Sequence, residues 1–125
     1  MMHKIRLEVA RSKENPAGDP GSGYEFFAPL DASSHIDLEA WRSVREVCFV
    51  HRIENNHVMD RGLLVHRAGG AGGATWAFDY DLSKDGDEEA GFRFGEHPFV
   101  IGEYVSIRDE DGDLHTYRVS HVTPA

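Results

Sequence analysis

Apolar residues in this chain recur at every second position in short runs, and turn-forming residues cut off each run. In His3-Lys4-Ile5-Arg6-Leu7-Glu8-Val9 the apolar side chains take the odd positions. In Thr75-Trp76-Ala77-Phe78-Asp79-Tyr80 the three large rings take the even ones. Successive side chains of a strand point to opposite faces, so this alternation describes strands with one dry face and one wet face. Tyr24 to Ala28 reads as a further strand, stopped by Pro29, after a loop from Lys13 to Gly23 rich in Pro, Gly and charge. Val47 to Ile53, Gly62 to Arg67 and Gly91 to Phe94 follow, the first two separated by the polar Glu54-Asn55-Asn56. The last hairpin, Glu103 to Arg108 and Asp113 to Val122, carries Asp111-Gly112 at its turn, where glycine accepts the positive φ that primed turns require. That pattern is shared by many small β-barrels and reports hairpin geometry.

One stretch breaks the alternation. From Ile36 to about Arg45, Leu38, Trp41 and Val44 recur at three- and four-residue spacing, the period of a helix with one apolar stripe. Ser34 followed by Asp37 comes close to a capping box, and Trp41 is the expected anchor on the core. The fold expected is mainly β: a small antiparallel barrel or strongly bent sheet of seven to eight short strands, with one helix near residues 36–45 covering one end or face. Too little chain precedes the early loop to fold alone, so residues 1–125 are read as a single domain.

The charge balance narrows the partners. With 22 acidic against 13 basic side chains the net charge is −9, a surface that repels phosphate backbones and anionic headgroups. Neither nucleic acid nor a membrane surface is expected as a partner. The longest apolar runs fall far short of the ~20 residues of a spanning helix. Cys48, the single cysteine, lies in the apolar run Val47-Cys48-Phe49-Val50 and reads as a small buried hydrophobe of a reducing, cytoplasmic compartment.

Eight histidines are the main chemical resource. His3, His51, His115 and His121 share the parity of apolar neighbours on their strands, which places them at the ends of core-facing rows. There an imidazole can line a barrel mouth or cleft, bind a metal, or pack its ring at the rim. Metal ions want three or four ligands, often two of them close in sequence. His51, Glu54 and His57 match no metal motif, and His115 and His121 stand about 20 Å apart along a straight strand. A metal site would need histidines from different strands, with His51, His66 and His115 as its ligands.

Other motifs are weak. Val-His-Arg occurs at residues 50–52 and again at 65–67, and pairing of those strands would gather two His and two Arg around an anionic group. The plainer expectation is that each Arg meets a surface carboxylate. Gly69-Gly70-Ala71-Gly72-Gly73 lacks the Lys-Ser/Thr of a P-loop. Asp81 to Gly86 copies the opening of a calcium loop without its terminal Glu, and Asp109, Asp111 and Asp113 are better explained by the hairpin turn. No serine or cysteine stands in an activation motif.

The leading expectation is a β-barrel-like module that binds a small ligand or a protein partner, with no cofactor, through Trp76, Tyr80, His51, His66 and Arg67. The alternatives are an enzyme of metal-assisted hydrolysis or oxygenation using a divalent metal on cross-strand histidines, and a structural homodimer joined by an exposed strand edge.

Overall fold

A computed structural model of the chain describes residues 1–13, 15–67, 76–80, 88–109 and 111–125. The glycine run at 69–73, the calcium-like loop at 81–86 and Thr75 lie outside the described residues. Those residues form eight strands and one α-helix: β1 (Met2–Val9), β2 (Asp19–Pro29), α1 (Leu38–Val44), β3 (Phe49–Glu54), β4 (His57–His66), β5 (Trp76–Asp79), β6 (Glu88–Phe92), β7 (Tyr104–Arg108) and β8 (Leu114–Pro124). Each strand pairs antiparallel with the next, and β8 returns to β1, so the sheet closes as an up-and-down barrel. Closure leaves no free edge among the described strands, so pairing of an exposed edge into a homodimer has no template there. Among the described residues no helix is long and apolar enough to cross a membrane.

The alternation read from the sequence becomes the inside and outside of this barrel. Ile5 and Leu7 of β1 are fully buried, as are Phe26 of β2 and Val119 of β8. At one end, the segment between β2 and β3 forms a plug. Asp37 caps α1 by accepting a hydrogen bond from the Ala40 N–H at 3.1 Å, in place of the expected Ser34, whose backbone is left-handed at φ 66°. Trp41 inserts edge-on against Trp76 with ring centroids 5.4 Å apart, and its Nε1–H donates to the Leu64 carbonyl at 3.1 Å. A 3-10 turn, Arg45–Val47, then hands the chain to β3. Phe94 and Phe99, from the connection between β6 and β7, fill the interior above the plug, with Phe99 edge-on to Phe26 at 5.6 Å.

Two glycines permit this packing. A side chain at Gly23, whose φ is 146°, would place its Cβ 1.9 Å from the Leu7 carbonyl oxygen, so β2 can reach β1 here only without one. A Cβ at Gly91 would fall 2.5 Å from the ring of Phe94. β2 is longer than expected: beyond Gly23 the pairing with β1 shifts register and resumes at Asp19, in a stretch that composition marks as loop.

Register corrects two of the four histidines. Val50 pairs with Phe26, and Arg52 with Tyr24, so Val50 and Arg52 face inward and His51 faces outward, opposite Glu25 and Arg61. Phe49, which shares the parity of His51, is 47% exposed while Val50 is 0%. His121 shares the alternation of Tyr117 and Val119, but the β1–β8 register shifts between them. Leu7 pairs with Val119 and Arg6 with His121, so Ser120 is the extra residue of a bulge that turns His121 outward. His121 is 64% exposed along its side chain and faces Glu8. His3 and His115 keep the inner parity, one at each end of the barrel.

Candidate ligand-binding site

The end opposite the plug is built from the β3–β4 and β7–β8 hairpins, the end of β1 and the starts of β2 and β6. Its inner rows change from apolar to polar within one residue pair. Phe26 is followed outward by Tyr24, Val50 by Arg52 and Val119 by Tyr117, and His115 lies opposite Ile107. Glu89 sits opposite Phe78 and so also points inward. These side chains surround a cleft of about 420 Å³ lined, among the described residues, by Tyr24, Arg52, Glu89, Asp109, His115 and Tyr117. Eight-stranded barrels have room inside for packed side chains or for one small ligand. Among the described residues the plugged half is filled and the mouth is not.

Glu89 is the centre of the arrangement. It is only 8% exposed, and Oε1 accepts the hydroxyl protons of Tyr24 at 3.0 Å and Tyr80 at 2.5 Å. Oε2 takes no hydrogen bond from the described residues. No enclosed side-chain polar atom among the described residues lacks a partner, so Oε2 is the oxygen that Glu89 presents to the cleft. Burial, then the neighbouring Tyr117, Tyr80 and Glu89, hold the Tyr24 phenol well above the ordinary tyrosine range. Burial and Glu89 do the same for Tyr80, and burial raises Tyr117. All three phenols therefore remain hydrogen-bond donors at neutral pH.

The cations of the mouth are already committed. Arg52 gives Nε and Nη2 to Asp60 at 2.8 and 2.5 Å, and Nη1 to Glu54 at 2.5 Å. These carboxylates outweigh the cost of burying the guanidinium and hold its proton more firmly than usual. His115 Nε2 lies 2.8 Å from Asp109 Oδ2, and that contact, with backbone N–H groups of Asp113 and Asp111, lowers the Asp109 pKa below the usual carboxylate range. The same backbone bonds close the β7–β8 turn, the role that the spacing of Asp109, Asp111 and Asp113 suggested.

Of the five residues expected to contact a ligand, the structure brings only Tyr80 to this cluster. Trp76 and His66 meet edge-on at 4.8 Å beside Trp41, at the plugged end, where burial and then Arg42 depress the His66 pKa. Arg67 pairs at 3.0 Å with Asp79, which is 2% exposed. His51 lies on the outer face. The two Val-His-Arg segments are on neighbouring strands, but the hairpin register sets His51 opposite Arg61 and leaves His66 far down the ladder, so each Arg meets its own carboxylate. His51, His66 and His115 consequently stand on the outer face, at the plugged end and at the mouth. Among the described residues no three His, Cys, Asp or Glu side chains gather as a set that would hold a metal ion.

Tyr24, Arg52, Glu89 and Tyr117 were not singled out from the sequence. The parity of Tyr117 was visible there, but Glu89 sits in an acidic stretch, Asp85-Gly86-Asp87-Glu88-Glu89, that reads as solvated loop. No known protein family matches the chain, and neither a characterised protein nor a solved structure matches it.

Proposed function

We propose that this small β-barrel is a binding module that takes a small molecule into its mouth. The observation that carries the reading is Glu89: a carboxylate placed inside the barrel, fixed through one oxygen by two phenols and open to the cleft through the other. Buried polar groups usually spend all their hydrogen-bonding capacity within the protein, and a spare acceptor beside an open volume is a recognition element. The volume falls in the usual range for small-ligand pockets, and Tyr24 and Tyr117, with rings 5.1 Å apart, give it an apolar wall. A second depression of the same size lies on the outer surface between Glu8, Arg11, Tyr104 and Arg118. Its charged side chains are exposed or half-exposed, so it offers no comparable desolvated polar group. Tyr80 is retained from the residues read in the sequence, acting through its hydrogen bond to Glu89, and the proposed contact set gains Tyr24, Arg52, His115 and Tyr117.

The test is a chemical-shift titration of the labelled barrel with a fragment set of cationic, neutral and anionic compounds. Hits should perturb the amides of Tyr24, Arg52, Glu89, His115 and Tyr117. Tyr117→Ala, which removes a wall of the cleft, should weaken them by about tenfold or more, the size of losing one well-packed contact. Hits confined to the Trp41–His66–Trp76 end or to the outer depression would refute the mouth as the site.

A further inference from the structure

We infer that the group recognised at the mouth is an organic ammonium, a protonated primary amine carried on a small apolar or aromatic body. The inference rests on the mouth being a ligand site and names what that site selects. Asp19, Glu54, Glu89 and Asp109 line the cleft against Arg52 and His115. Arg52 already spends three donors on Asp60 and Glu54, and His115 faces Asp109. Among the described residues Glu89 has no Lys, Arg or His within ion-pair distance and its Oε2 has no hydrogen-bond donor. An incoming anion would meet acceptors first and would reach Arg52 only by breaking both of its ion pairs.

An incoming ammonium brings three donors and no acceptor, which suits this rim. Its bond to Oε2 would be charge-assisted and partly desolvated, the stronger kind of hydrogen bond. Tyr24 and Tyr117 would border the organic part, and the net charge of −9 raises the local concentration of any cation. A metal ion fits worse. Hard cations require several oxygen ligands, whereas Glu89 has one oxygen to give, its other being occupied by two tyrosine hydroxyls.

The experiment compares isosteres on the unaltered protein by calorimetry and chemical-shift mapping: phenethylamine, the alcohol 2-phenylethanol and the carboxylate 3-phenylpropionate. A lysine-containing tripeptide amide with both termini blocked joins them, because the ammonium could come from a free amine or from a partner's lysine. Phenethylamine should bind in the mouth at least about tenfold more tightly than the alcohol, the size of one charge-assisted hydrogen bond, and the carboxylate should be weakest. Glu89→Gln, which keeps an acceptor for the two tyrosines, should erase that preference while leaving the amide spectrum native-like. If Glu89→Gln fails to fold, the isostere series on the unaltered chain decides alone. Tighter binding of the peptide than of phenethylamine would support the inference with a protein lysine as the source. Equal binding of alcohol and amine in the mouth, or preference for the carboxylate, would overturn it and leave the mouth as a ligand site. Binding of none of the probes in the mouth would overturn both.

Discussion

The residues that matter most at the mouth include three phenols that burial keeps protonated. Tyr24, Tyr80 and Tyr117 have phenol pKa values raised in the folded barrel, chiefly by desolvation. A raised acid pKa means that the folded state keeps its proton while the unfolded chain begins to lose it near pH 10. The stability these groups contribute is therefore complete below about pH 10 and is lost as pH climbs above it. Monitored at 295 nm, the three phenols should ionise only together with loss of β circular dichroism. Three phenolate signals rising before the structure melts would show the cluster to be open to solvent. At this scale the sequence was partly legible. The inward parity of Tyr117 and His115 follows from simple alternation, whereas His51 and Glu89 required the register. Phe49 and Val50 are equally apolar, and only the partner Phe26 decides which of them faces the core.

At the scale of elements, close approach and bulges do what periodicity cannot express. The β1–β2 ladder depends on Gly23, where backbone meets backbone. Gly23→Ala should cost about 2 kcal/mol or more, because the left-handed φ and the clash with the Leu7 carbonyl add, and a urea melt should read it as a lower midpoint at unchanged slope. A midpoint within error of the parent would show that β2 can shift its register freely. The bulge at Ser120 is the counterpart on β8. One extra residue reverses the faces of everything beyond it, and nothing in Val119-Ser120-His121-Val122 announces which residue is extra. The helix and the final hairpin were legible, because a three-to-four spacing around Trp41 and an Asp-Gly turn are local signals. The cap moved from Ser34 to Asp37 because Ser34 is spent in a left-handed turn whose carbonyl accepts from Phe99 N–H at 2.8 Å.

For the whole molecule, the division of labour between the two ends is the central fact. One end is closed by α1 and by rings from distant segments; the other, among the described residues, is polar and holds the cleft. Trp41 joins the plug to the barrel through Trp76, His66 and the Leu64 carbonyl. Trp41→Ala should lower stability by about 3–5 kcal/mol, as loss of a large buried ring does, with the loss read from denaturant unfolding. If the two ends are independent, affinity at the mouth should survive in whatever fraction remains folded. A Trp41→Ala protein as stable as its parent would show that the plug is an ornament on a self-sufficient barrel.

By itself the sequence determined the alternation, the helix around Trp41, the strand-rich architecture and a net charge of −9. Each of these follows from residue type and local spacing, quantities that neighbours along the chain settle between them. Closure of the barrel, the outward turn of His51 and His121, and the gathering of Tyr24, Tyr80 and Tyr117 with Glu89 were decided by tertiary structure alone. Those outcomes depend on pairing between segments far apart in the chain: Leu7 faces Val119 across the β1–β8 seam, and Tyr24 bonds Glu89 65 residues on. Register is set by which side chains fill the interior together, a condition on the whole barrel that no single strand carries.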